Sequence, residues 1–136
     1  DHLIGIDVSQ KMLKKAEVGN HYTNLIHSDI VDYIRKTKDK FDLFIAADVL
    51  VYIGDLDLLF KLIKQSNSSG GWLAFSTEHI ETSTYELRSS GRYAHSKSYI
   101  DSLCEKYGYA IKDFAVENLR KEKGEFLSGG FYLLKF

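Results

Sequence analysis

Within the first fifty residues, three short apolar runs each stop on an aspartate: Leu3-Ile4-Gly5-Ile6-Asp7, Asn24-Leu25-Ile26-His27-Ser28-Asp29, and Phe41-Asp42-Leu43-Phe44-Ile45-Ala46-Ala47-Asp48. Each run has strand length, and the residues after each one either repeat at helical spacing or offer a helix cap. Strand then helix, repeated, constrains the chain to an α/β fold with a mostly parallel sheet. The third run is nearly continuously apolar, as expected of a parallel strand buried on both faces. A carboxylate at the C-terminal tip of a parallel strand stands where such sheets bind ligands. It can accept from two ribose hydroxyls at once.

Along the chain, Ser9 caps a helix whose apolar face is Met12, Leu13 and Ala16, and Gly19 suits a left-handed stop. Ile30, Val31 and Ile34 open a second helix that runs into the charges of Arg35 to Lys40. Val49 to Ile53 is an apolar turn. Asp55 is placed to cap the helix whose stripe is Leu56, Leu59, Phe60 and Ile63. Ser66 to Gly71 reads as a loop by composition, and Trp72 to Thr77 as a buried strand. Residues 78–95 read as polar and irregular. Ser96 or Ser98 then caps a helix with the stripe Ile100, Leu103, Cys104 and Tyr107, closed by Gly108. Two strands, about 109–119 and 126–136, joined by Lys121-Glu122-Lys123-Gly124, predict a closing antiparallel hairpin. No repeat or linker interrupts the 136 residues, so one domain, 1–136, is expected.

Composition narrows the function. A net charge of -1 without a basic block argues against a phosphate-tracking nucleic-acid surface. The single cysteine, Cys104, excludes a disulfide framework and a cysteine zinc cluster, and its place on an apolar stripe reads as core. His2, His21 and His27 lack metal-ligand spacing, and His79 and His95 are too far apart in sequence to read as a pair; no metal is expected. No apolar run reaches membrane-spanning length and no leader pattern opens the chain, which makes a cytoplasmic setting the expectation.

Taken in order, Gly5-Ile6-Asp7-Val8-Ser9 with Met12, Leu13 and Ala16, then Ser28-Asp29-Ile30, then Phe41 to Ile53, then Gly70-Gly71-Trp72-Leu73-Ala74-Phe75-Ser76, and the closing hairpin, resemble a class I S-adenosylmethionine-dependent methyltransferase. They match that family's second strand and helix, third strand, fourth strand with its exit loop, fifth strand and antiparallel end. Gly91-Arg92-Tyr93-Ala94-His95-Ser96 through Tyr99-Ile100, with Gly108-Tyr109, Leu119-Arg120 and Ser128-Gly129-Gly130, are similar to a bacterial methyltransferase subgroup often fused behind tetratricopeptide repeats. The resemblance implies a Rossmann-like methyltransferase sheet and S-adenosyl-L-methionine as cofactor. Asp7 would accept from the cofactor ribose, with Val8 and Met12 against the adenine. Asp29 would accept from the adenine amino group, with Ile30 over the ring. Ala46 and Asp48 would line the methionine end, while Leu50 and Tyr52 more often pack than bind.

The reaction the family performs needs an acceptor held in line with the methyl group, and a general base only where the acceptor must lose a proton. Candidates lie at 78–95: Glu78, His79, Tyr85, Arg92, Tyr93 and His95. The bland alternative for each is polar surface. Arg92 can hold an acidic substrate or pair with Glu86.

One departure stands out. The family's first strand and glycine-rich loop have no counterpart here, and in the family order 3-2-1-4-5-7-6 that strand lies between those of Asp7 and Asp48. The expectation is a fragment of a longer enzyme, inactive as it stands, with bare strand edges that favour self-association. A small-molecule acceptor is favoured, with nucleic acid and membrane disfavoured. The alternatives are a non-catalytic scaffold of the same fold and an NAD(P)-binding domain.

Overall fold

A computed structural model describes residues 2–81, 84–122 and 124–136, and the chain packs as two units, 1–38 and 39–136. In the first unit, β1 (Ile4–Asp7) lies parallel to β2 (Asn24–His27), with Asp7 opposite His27. Parallel neighbours need a crossover, and α1 (Gln10–Val18) supplies it. Ser9 caps α1 as expected, its Oγ accepting from the Met12 amide at 3.3 Å. The helix end differs from expectation. Gly19 stays right-handed at φ -73°, and Asn20 takes the left-handed turn at φ 48°, a conformation asparagine tolerates better than most side chains. A second short helix, α2 (Ile30–Lys36), is capped by Asp29 and buries Ile34.

The second unit is built on a six-stranded sheet. Its elements run β3 (Phe41–Ala46), a 3-10 turn at Leu50–Tyr52, α3 (Asp57–Gln65), β4 (Asn67–Ile80), β5 (Tyr85–Leu87), β6 (Tyr93–Ser96), α4 (Lys97–Tyr107), β7 (Ala110–Glu122) and β8 (Glu125–Lys135). Strand β4 is central. One edge is parallel first to β3 and then, at Glu78–Ile80, to β6; the other edge is antiparallel to β8, which pairs with β7.

The core lies on one face of this sheet, beneath α3 and α4. Phe60 is fully buried, edge-on to Phe75 at 5.7 Å and to Tyr109 at 5.4 Å, and Phe75 stacks on Tyr132 at 4.8 Å. The stripe Leu56, Leu59, Phe60 and Ile63 is buried as its spacing requires, and so are Ile100, Leu103 and Cys104 of α4. Burial pushes the Cys104 thiol up to about 11, so it stays protonated, as a core cysteine does. Ser96 caps α4, accepting from the Tyr99 amide at 3.1 Å, and Gly108 closes it at φ 70°.

The structure corrects four further readings of the sequence. Strand β3 is not buried on both faces: Leu43 is 52% and Ile45 67% exposed, because among the described strands β3 pairs only with β4 and its outer face is bare. Asn67 to Gly71 belong to β4 rather than to a loop. The ladder skips from Phe41 opposite Asn67 to Leu43 opposite Trp72, and this irregularity absorbs the glycine-rich surplus, with Gly70 at φ 78°. Much of 78–95 is extended, not irregular: β4 continues to Ile80, and β5 and β6 form a hairpin turned at Gly91, φ 79°. Thr82 and Ser83 of that stretch lie outside the described residues, as does Lys123. Finally, the terminal hairpin reaches further than its apolar pattern, since Glu122 pairs with Glu125 and Arg120 with Leu127.

Candidate functional site

In the first unit, the tip of β1 presents the half-buried carboxylate of Asp7. Its Oδ1 accepts from the Ser9 amide at 2.7 Å, which fixes the group at the strand end and leaves Oδ2 for another donor. Beside it, Val8 is 66% and Met12 51% exposed. Val8 lies in the turn before α1 and Met12 in its first turn, and the two offer an apolar contact next to a fixed acceptor. Asp29, the corresponding acid after β2, takes Val31 N at 2.8 Å and Asp32 N at 3.1 Å on its Oδ1, with Ile30 half-buried next to it. His27 donates from Nε2 to the Val8 carbonyl at 2.8 Å and ties the two strand ends together.

In the second unit, charges converge where β3 and β4 end. Ala46 is buried, and Asp48 turns the chain at φ 54° with its N–H donating to Ser76 Oγ at 2.9 Å. Its Oδ1 accepts from Arg120 Nη1 at 2.7 Å, and Arg120 Nη2 donates to Glu78 Oε1. Glu78 is buried, so the Arg120 guanidinium supplies its counter-charge. Arg92 lies over the Tyr52 ring at 5.9 Å, and its Nη1 is 3.4 Å from Glu122 Oε2. Tyr52 foremost, then Glu122 and Asp48, raise the Arg92 pKa above its ordinary value, so both arginines belong to one charged cluster.

Of the other candidates, His95 is fully buried. Its Nε2 donates to the Ile53 and Gly54 carbonyls at 3.0 and 2.9 Å, and burial lowers its pKa. It ties the segment after β3 to β6. Tyr93 packs its ring where Gly54 leaves room, since a Cβ there would lie 2.6 Å from the ring. His79 pairs with Glu81 at 2.9 Å, and alternation along β4 puts it on the opposite face from Glu78. Tyr85 packs on His95 and Tyr99. The alternative Arg92–Glu86 pair is not seen among the described residues: Arg88, two residues along from Glu86 and so on the same side of the extended segment, takes it at 3.3 Å.

Sequence alone gives no site role to Arg120 and places Glu122 in a turn. Both sit in the part of β7 that looks too charged for a strand. An apolar hollow of about 280 Å³ also opens over the sheet beside Ile45, Ala74, Ser76, Phe131 and Leu133. Among the described residues, no group of three metal-ligating side chains is assembled, and no helix is long and apolar enough to cross a membrane.

Comparison with known proteins gives the fold a family. The chain is similar to the N-methyltransferase NodS of Bradyrhizobium japonicum WM9, solved with S-adenosyl-L-homocysteine, at 20% identity and TM-score 0.75, covering 98% of this chain and 66% of that one. It is similar to an S-adenosylmethionine-dependent methyltransferase of Mesorhizobium loti at 21% identity and TM-score 0.72, covering 99% and 80%. It is also similar to the magnesium protoporphyrin IX methyltransferase of Synechocystis PCC 6803, solved with S-adenosylmethionine, at 15% identity and TM-score 0.67, covering 98% and 59%. The chain thus spans about two thirds of the length of NodS. No curated protein matches it. Residues 1–75, more than half of the 136, match the family described as a methyltransferase domain, and the chain belongs to that family.

Proposed function

We propose that this protein binds S-adenosyl-L-methionine and transfers its methyl group to a small-molecule acceptor. The observation that carries the reading is the tip of β1: a fixed carboxylate, Asp7, beside the bare side chains of Val8 and Met12. That combination fits an adenosine, which needs an acceptor for ribose hydroxyls and an apolar surface for a base. Asp29 and Ile30 serve the adenine edge and face in the same unit. The bound cofactor supplies an electrophilic methyl on a sulfonium. The protein's part is to hold the acceptor in line and exclude water.

Among the titratable candidates, His95 is a poor base, because its Nε2–H is committed to two carbonyls and burial favours the neutral ring only. Orientation by the charged cluster around Asp48 is the better-supported contribution. The Synechocystis relative is named for magnesium protoporphyrin IX, a small molecule, which favours a small-molecule acceptor over nucleic acid, as does the net charge of -1.

Calorimetry with S-adenosylhomocysteine tests the proposal, on this chain and on the protein as its gene encodes it. Micromolar binding is expected in the gene-encoded form. Asp7→Asn keeps the hydrogen bond to Ser9 but loses the anionic acceptor, and is expected to weaken binding about tenfold or more. If the folded gene-encoded protein prefers a nicotinamide dinucleotide, the chain is an NAD(P) domain. If it binds neither, it is a scaffold.

A further inference from the structure

The two arginines of the charged cluster are not equivalent. Arg120 is committed: one end of its fork is on Asp48 at 2.7 Å, the other on the buried Glu78. Releasing it would strand a carboxylate away from water, a heavily destabilised state. Arg92 is held loosely. Its ion pair with Glu122 is 3.4 Å long, against about 2.7–2.9 Å for a well-formed charge-assisted hydrogen bond. Its side chain is 28% exposed, against 20% for Arg120, and in both arginines the buried Nε has no acceptor among the described residues. Its guanidinium lies over the ring of Tyr52, a residue itself 62% exposed. A planar cation held by an exposed tyrosine and a long ion pair, beside the turn that follows β3, is placed to exchange that ion pair for a planar anion.

We propose that Arg92 anchors a carboxylate of the methyl acceptor, and that Glu122 is the resident carboxylate which the acceptor displaces. This deepens the methyltransferase reading and rests on it. The acceptor is then a small carboxylic acid with an apolar or aromatic part, which lies against Tyr52 while its carboxylate takes the fork. Glu122 holds the guanidinium in place when no acceptor is present. It stands on β7, two residues from Arg120, so the same strand supplies the fixed and the exchangeable part of the cluster.

The experiment uses the gene-encoded protein saturated with S-adenosylhomocysteine and three matched probes, benzoate, benzamide and benzylamine, followed by ligand-observed NMR titration. Benzoate is expected to bind at least tenfold better than the other two. Arg92→Gln is expected to remove that preference while leaving the affinity for S-adenosylhomocysteine unchanged. Glu122→Gln is expected to tighten benzoate several-fold, a gain that a folding defect cannot imitate. Equal affinity for the three probes, preference for the amine, or weaker benzoate binding in Glu122→Gln would each overturn the proposal. Failure to bind S-adenosylhomocysteine would instead remove the methyltransferase reading, and the benzoate titration, run also without it, separates the two failures.

Discussion

At the scale of single residues, the cluster at the strand ends makes function and stability depend on the same side chains. Glu78 is 4% exposed and its guanidinium partner comes from a strand more than forty positions away in sequence. Removing Arg120 leaves that charge buried and unpaired, so Arg120→Met is expected to cost about 3 kcal/mol in urea unfolding, and Glu78→Gln in the same background should restore most of it. His95 sets a pH dependence. Burial lowers its folded pKa below the ordinary 6.5, so the unfolded chain binds the extra proton first. Stability from this residue is complete above 6.5 and declines as pH falls below that value toward the folded pKa. His95→Gln can still donate to the Ile53 or Gly54 carbonyl. It is expected to flatten the fall in melting temperature between about pH 7 and 5, measured by calorimetry at several pH values.

At the scale of elements, the parts that sequence makes legible are those with local causes. The stripes of α3 and α4, the caps at Ser9 and Ser96, and the acids that end β1 and β2 follow from spacing and hydrogen-bond chemistry within a few residues. Ser96→Ala removes one such cap and is expected to destabilise by about 1 kcal/mol in thermal unfolding, with the α4 amides losing exchange protection first. The parts that sequence hides depend on distant partners. Glu122 reads as a turn residue and Arg120 falls just past the expected strand end, because strands seldom carry consecutive charges. They are strand residues because β8 holds them, and they matter because β7 runs on past the apolar part of the hairpin to reach Glu78 and Arg92. The extended 78–80 and 93–96 segments are obscured in the same way, since only their mutual pairing buries the polar Glu78, His95 and Ser96. Asp7 and Asp48 stand out by their position at strand ends, but the arginine that fixes Asp48 has no local signature.

At the scale of the whole molecule, the second unit has one covered and one bare sheet face. Leu43 and Ile45 stand out from β3 on the bare side, and β3 pairs on one edge only among the described strands. In the first unit, β1 likewise pairs only with β2. Open edges beside apolar surface recruit further strands. This chain is therefore expected to self-associate at high micromolar concentration in light scattering. Ile45→Lys, which puts a charge on that surface, is expected to shift it toward monomer without loss of melting temperature. A monodisperse parent at those concentrations would remove this expectation.

The place of β8 has a consequence for synthesis. Strand β4 ends at Ile80, but the strand that seals its second edge begins only at Glu125 and reaches Lys135. At about 5–20 residues per second, a nascent chain waits on the order of seconds between finishing β4 and releasing β8 from the ribosome, with Leu73 and Phe75 already made and still uncovered on that side. During that interval the emerging polypeptide is a natural client for ribosome-associated chaperones, and a translational pause placed between β4 and β8 would lengthen the exposure rather than aid folding.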